Sequence, residues 1–118
     1  MRLRLANLSN AQIMIVRFTG MKPFVIAIDS QPCTAFEPVR GSIPMAPGAR
    51  FELMFDMPVD PTSKATVALF GPERGDQDII VLNCQGSPIS QNKPIASLPL
   101  NKTLPAEIKL DNSKKVDL

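Results

Sequence analysis

The stretch V-R-G-S-I-P-M-A-P-G-A-R-F-E-L-M-F-D, residues 39–56, decides the fold that we expect for this chain. Proline fixes φ at the second position of a turn and glycine accepts the positive φ that follows, so Pro47-Gly48 predicts a type II turn. The residues after the turn alternate between an apolar and an outward-facing set, with Phe51, Leu53 and Phe55 in the first and Glu52, Met54 and Asp56 in the second. Such alternation is the period of a strand with one face on a core. We therefore predict a hairpin centred on this turn.

Apolar runs and alternation predict further strands at 2–6, 12–18, 24–29, 66–70 and 79–82. A turn at 29–32 and an irregular stretch to 38 separate the third of these strands from the hairpin. No stretch shows the 3.6-residue period of a helix. With the two strands of the hairpin, seven short strands separated by turns indicate an all-β fold, a Greek-key sandwich or barrel of antiparallel strands.

The composition excludes several classes of function. The chain has 118 residues, the size of one domain, and its 13 basic and 11 acidic residues are mixed along the sequence. Because no basic stripe is present, nucleic acid is not an expected partner. No apolar run is long enough to predict a membrane span. The chain contains no histidine, so it lacks the commonest metal ligand and the usual general base at neutral pH. We predict no catalytic residue.

The two cysteines leave two interpretations open. A disulfide between Cys33 and Cys84 would close a long loop and stabilise the fold. Alternatively, Cys33 follows Gln31-Pro32 at the start of a strand, where a small buried thiol is expected. Two cysteines without a histidine make a poor zinc or copper site, so we predict no metal ligand in this chain.

The chain changes character after Cys84. Prolines recur every five or six residues, at Pro88, Pro94, Pro99 and Pro105. Such spacing favours an extended, polyproline-like segment over a packed element. We therefore predict a globular domain at 1–86, an extended linker at 87–111 and the start of another strand at 112–118.

Three segments, in this order, resemble segments of the middle cupredoxin-like domain of the multicopper oxidase family. Residues 2–11 resemble its R-x-R-x-x-N-x-S strand and loop, and residues 24–32 resemble its strand ending in D-G-x-P, with a serine at the glycine position. Residues 43–56 resemble its L-x-L-x-P-G-x-R-x-D signature, with Glu52 at the acidic position. The residues that carry the resemblance are Arg2, Arg4, Asn7, Asp29, Pro32, Pro47, Gly48 and Arg50.

The resemblance implies a cupredoxin-like fold and a non-catalytic scaffold. In that family, H-x-H, H-C-H and H-P-x-H-L-H-G motifs of the first and last domains hold the copper that couples substrate oxidation to the reduction of oxygen to water. This chain has no histidine, so it resembles the copper-free middle domain. The implied partners are neighbouring copper-binding cupredoxin domains, with residues 112–118 opening the next one. The implied location of the parent protein is periplasmic or secreted.

Two alternatives to this scaffold remain. One is a domain of a copper-free relative with the same fold that acts in binding or cell division, and the other is an unrelated β-sandwich binding module. The family's middle domain begins with an extra strand before the R-x-R segment, and this sequence starts at Met1-Arg2. We therefore expect a domain that is incomplete at its N-terminus. An edge exposed in this way invites pairing with a second copy, which predicts a homodimer.

Overall fold

The computed structural model describes residues 1–58, 60, 62–87, 93, 96–99, 101–103 and 114. Within them a three-residue 3-10 turn, Val39–Gly41, lies between the fourth and fifth strands. The strands of the described residues are β1 (Arg2–Ala6), β2 (Met14–Thr19), β3 (Phe24–Ile28), β4 (Gln31–Phe36), β5 (Ser42–Met45), β6 (Arg50–Met54), β7 (Lys64–Leu69) and β8 (Gln77–Asn83). No helix in this part of the chain is long and apolar enough to cross a membrane.

The strands form two four-stranded sheets that pack face to face. The first sheet has the order β1-β6-β3-β4 and the second has the order β5-β2-β7-β8. Every neighbouring pair is antiparallel. The β3–β4 and β7–β8 connections join neighbours in one sheet, whereas the other connections between these strands cross from one sheet to the other. The predicted all-β sandwich is confirmed.

The core lies between the sheets and takes side chains from both. Its buried cluster consists of Val16, Phe18, Val25, Ile43, Met45, Leu53 and Val67. Leu3, Leu5 and Phe51 are partly buried and pack against this cluster. These contacts confirm the inward face predicted from alternation for the strand after the turn, β6. Ile13, within the strand predicted at 12–18, is 65% exposed and precedes the first residue of β2.

The predicted hairpin is wrong, although its turn is correct. Gly48 has a φ of 79°, and the amide of Ala49 donates to the carbonyl of Ala46 at 3.0 Å, as a type II turn requires. However, β5 pairs with β2 in the second sheet, and β6 lies between β1 and β3 in the first sheet. The physical reason is twist, since a type II turn splays the strands that it joins. The turn therefore carries the chain from one sheet to the other.

A two-residue hairpin is found instead between β3 and β4, where we predicted a turn and an irregular stretch. Asp29 and Ser30 have φ values of 48° and 69°, and Ile28 pairs with Gln31. Two successive positive φ angles define a type I′ loop, whose twist suits a hairpin. Pro32 lies within β4. Proline is not tolerated in a central strand, but β4 is an outer strand of the first sheet, where proline is accepted.

Both cysteines are free thiols, which contradicts the disulfide interpretation. The side chain of Cys33 is half-buried on β4, and the Cys84 thiol donates to the carbonyl of Pro58 at 3.0 Å. Cys33 lies within β4 of the first sheet, whereas Cys84 follows β8 of the second.

A short part of the C-terminal segment lies against β4. The amide of Ala35 donates to the carbonyl of Ala96 at 2.8 Å, and Thr34 forms an isolated antiparallel bridge with Ser97. Most of the predicted linker and of the predicted strand at 112–118 lies outside the described residues. The domain boundaries therefore stay a prediction.

Candidate interaction groove

A groove of about 510 Å³ lies on the outer face of the first sheet, opposite the core. We call it the arginine groove, and it is defined here by Arg2, Arg4, Pro32, Arg50, Glu52 and Leu98. These residues come from β1, β6, β4 and the C-terminal segment that lies beside β4. The groove is therefore assembled from parts of the chain that are far apart in sequence.

The pairing of β1 with β6 sets the positions of the three guanidinium groups. In this pair Arg4 lies opposite Glu52, and Ala6 lies opposite Arg50. Side chains two residues apart in a strand point to the same face and are separated by about 6.8 Å. Since Leu3 and Leu5 face the core, Arg2 and Arg4 project outward. Arg50 lies on the neighbouring strand β6, opposite Ala6, which is two residues beyond Arg4.

One carboxylate serves two of these arginines. The Nε atoms of Arg2 and Arg4 contact different oxygens of Glu52, with 3.5 Å between the Arg4 nitrogen and its oxygen. The Glu52 side chain is 15% exposed, whereas those of Arg2 and Arg4 are 51% and 72% exposed. Exposed pairs of this kind add about 1 kcal/mol of stability or less. Their main effect here is to hold both guanidinium groups at the groove.

Arg50 adds a third positive charge and forms no ion pair with any residue in the described part of the chain. Its backbone is fixed from the β3–β4 turn. The Arg50 amide donates to Oδ1 of Asp29 at 2.8 Å, and the Asp29 amide donates to the Arg50 carbonyl at 2.8 Å. Asp29 therefore places the start of β6 beside the turn, where Ser30 and Pro32 complete that side of the groove.

A second cluster lies where the turn between β5 and β6 meets the end of β1. Asn7 is 1% exposed, and its side-chain nitrogen donates to the carbonyls of Gln12 and Met45 at 2.8 and 2.9 Å. Its Oδ1 accepts the amide of Ser9 at 2.9 Å. Its backbone carbonyl accepts the amide of Gly48 at 2.8 Å. Because these bonds occupy both ends of the buried amide, the cluster has a structural role.

The eight residues that carry the family resemblance thus fall into two places in the structure. Those at the arginine groove are Arg2, Arg4, Asp29, Pro32 and Arg50, and those at the turn cluster are Asn7, Pro47 and Gly48. The sequence analysis did not predict that Glu52 would be the shared counterion or that Leu98 would line the groove. The position of Glu52 in an alternating strand is the one signal that places it on the sheet face opposite the core.

The side chains at the arginine groove can bind a charged ligand. The described residues contain no group of three or more cysteine, aspartate or glutamate side chains that could hold a metal ion. The groove lining offers three guanidinium groups and one carboxylate, and the Asp29 carboxylate beside it is bonded to the Arg50 amide, so the lining keeps a net positive charge. Guanidinium groups form strong, directional hydrogen bonds to carboxylates and phosphates. The arrangement is therefore suited to an anionic ligand.

Comparisons with known proteins match the fold and not the sequence. No protein-family profile and no curated protein sequence matches this chain. Among solved structures, 91% of the chain superposes on Lac15 from a marine microbial metagenome, with a TM-score of 0.70 and 22% identity. The laccase-like multicopper oxidase CueO from the lignin-degrading bacterium Ochrobactrum sp. matches 81% of the chain, with a TM-score of 0.62 and 20% identity.

A third solved structure, the multicopper oxidase from Campylobacter jejuni, a metallo-oxidase, matches 78% of the chain with a TM-score of 0.58 and 17% identity. The chain spans 28%, 22% and 21% of the lengths of these three proteins. At these identities the likeness is one of fold. The chain therefore has the cupredoxin-like sandwich fold that occurs in multicopper oxidases.

Proposed function

We propose that this chain is a non-catalytic scaffold domain of a multicopper oxidase. The observation that carries the proposal is the match of 91% of the chain to 28% of a single larger protein, Lac15. This is the share expected of one domain in a protein built of several cupredoxin domains. In the parent protein, copper would reside in the other domains, which would couple substrate oxidation to the reduction of oxygen to water.

The composition supports a copper-free role for this particular domain. A cupredoxin copper site uses histidine and cysteine ligands, and the whole sequence contains no histidine. Of its two cysteines, Cys33 lies within β4 of the first sheet and Cys84 follows β8 of the second. The domain would contribute a rigid spacer and contact surfaces for neighbouring copper-binding domains. By analogy with the family resemblance, we place the parent protein in the periplasm or outside the cell.

A second candidate is a domain of a copper-free relative that has the same fold and acts in binding or cell division. The arginine groove favours this candidate, because it presents unneutralised charge on an open sheet face. A spacer alone does not require such a surface.

The gene's reading frame on both sides of this sequence separates the two candidates. Histidine-rich H-x-H and H-C-H motifs in the flanking frame would support the oxidase. A flanking frame that encodes further cupredoxin-like domains without these motifs would support the copper-free relative. A frame that encodes no cupredoxin-like domain at all would contradict both candidates.

Pairing of two copies through β1 stays a prediction. This strand is the outer strand of the first sheet, and an unpaired strand edge can pair with another chain. Light scattering at high protein concentration measures the mass directly. A monomer under these conditions would rule out the pairing.

A further inference from the structure

We propose that the arginine groove binds an extended acidic segment of a partner polypeptide. The first reason is charge. Three guanidinium groups and one carboxylate face the groove, and Glu52 is already shared by Arg2 and Arg4. An acidic partner would supply the missing negative charge without displacing any contact seen among the described residues.

The spacing of the arginines selects an extended chain over a small anion. Arg4 lies two residues after Arg2 on β1, and Arg50 on β6 lies opposite Ala6, which is two residues after Arg4. The three arginines are therefore spaced at two-residue intervals along the β1–β6 pair. Two steps of strand geometry cover about 13 Å. A single phosphate is too small to reach all three guanidinium groups. An extended segment with acidic residues at alternate positions repeats its carboxylates at the same interval.

The groove also offers apolar contacts between the charged groups. Pro32, Ala27 and Leu98 line it beside the arginines. An apolar side chain placed between two acidic residues of the bound segment could pack there. The complementary sequence is therefore an alternation of acidic and aliphatic residues, and not a run of consecutive acids.

The groove is arranged before the partner arrives, which lowers the entropic cost of binding. Glu52 restrains Arg2 and Arg4. Two hydrogen bonds of 2.8 Å to Asp29 fix the backbone of Arg50, so its side chain starts from a defined point. The groove would bind such a segment whether or not the chain is part of an oxidase.

Isothermal titration calorimetry of the whole chain tests this proposal. The probes are an alternating glutamate-leucine pentapeptide with three glutamates and blocked ends, the same peptide with glutamine for glutamate, and inorganic phosphate. We expect the acidic peptide to bind more tightly than phosphate and the neutral peptide not to bind. Since exposed ion pairs are screened by salt, the affinity should fall as ionic strength rises.

Two variants and a matched control locate the binding surface. Arg50→Gln should weaken the acidic peptide by about threefold, and the double variant Arg4→Gln/Arg50→Gln should weaken it by about tenfold. Arg74→Gln makes the same charge change on the exposed loop between β7 and β8 and should leave the affinity unchanged. Thermal melting checks that each variant is folded.

Four results would overturn the proposal. One is an acidic peptide that does not bind, and another is a neutral peptide that binds equally well. The third is an equal loss of affinity with Arg74→Gln and with Arg50→Gln, which would mean that overall charge, and not the groove, attracts the peptide. The fourth is tighter binding of phosphate than of the peptide, which would mean that the groove binds a small anion and not a partner segment.

Discussion

The side-chain nitrogen of Asn7 donates a hydrogen bond of 2.9 Å to the carbonyl of Met45. Asn7 follows β1 in the first sheet and Met45 ends β5 in the second, so this bond ties the two sheets together at one end of the sandwich. Asn7 is 1% exposed, and the same nitrogen also bonds the carbonyl of Gln12. Removal of the amide would leave two carbonyls without this donor.

We expect Asn7→Ala to lower the free energy of unfolding by about 2 to 3 kcal/mol, because buried polar groups that lose a partner keep their desolvation cost. Urea denaturation measures the change. The control is Asn10→Ala, at an exposed position of the same loop, which should change stability by about 0.5 kcal/mol or less. Equal effects of the two substitutions would show that the Asn7 contacts do not contribute.

The β3–β4 turn predicts a stabilising substitution. Ser30 adopts a φ of 69°, a conformation that glycine reaches without the steric cost that a side chain incurs. We expect Ser30→Gly to raise the free energy of unfolding by about 0.5 to 1 kcal/mol. Thermal and urea unfolding give the value, and a destabilised variant would mean that the turn does not have the type I′ geometry.

Two glycines at positive φ should respond differently to alanine. A Cβ added at Gly48 meets no atom within 4 Å, so Gly48→Ala carries the backbone cost alone, about 1 kcal/mol. A Cβ added at Gly20 overlaps the carbonyl oxygen of Lys64 on β7. We expect Gly20→Ala to be clearly the more destabilising of the two in urea titrations. The reverse order would contradict the close approach of Gly20 to β7.

Asp60 offers a test of local structure by pH titration. The hydroxyl and the amide of Thr62 both donate to Oδ1 of Asp60, at 2.7 and 2.8 Å. Hydrogen bonds to the ionised form hold the pKa of this carboxyl below its ordinary value. Any stability that these bonds provide is therefore present above the ordinary pKa and is lost as the pH falls through the lowered one.

The substitution Thr62→Val removes the hydroxyl and keeps the backbone amide. We expect it to raise the pKa of Asp60 toward the ordinary value, and carboxyl NMR signals followed against pH measure this shift. An unchanged Asp60 titration would show that the hydroxyl bond does not form.

Periodicity was enough to predict every described strand except β4. Val16 and Phe18 on β2 and Leu53 on β6 are core residues, as their two-residue spacing indicates. The type of turn at Pro47-Gly48 was also readable from the residues. Strand pairing was not readable in the same way. Alternation is the same in a hairpin and in two strands of different sheets, whereas the twist of the type II turn separates β5 from β6. Pro32 and the polar residues of β4 gave no alternation that would indicate an outer strand.

The site was less predictable than the fold for a physical reason. Arg2 and Arg4 meet Arg50 only because β1 pairs with β6, and the sequence does not encode the partner of a strand some fifty residues away in any local pattern. The family resemblance marked these residues one by one. It did not show that they share a face, nor that Glu52 bridges two of them.

The central claim is that this cupredoxin-like domain is a copper-free scaffold, and copper analysis tests it most directly. The purified chain is incubated with Cu(II) and, under reducing conditions, with Cu(I), passed through a desalting column and analysed for copper by mass spectrometry. Because the sequence offers no histidine and its two thiols belong to strands or strand ends of different sheets, we predict less than about 0.1 copper per chain. One tightly bound copper per chain would contradict the account.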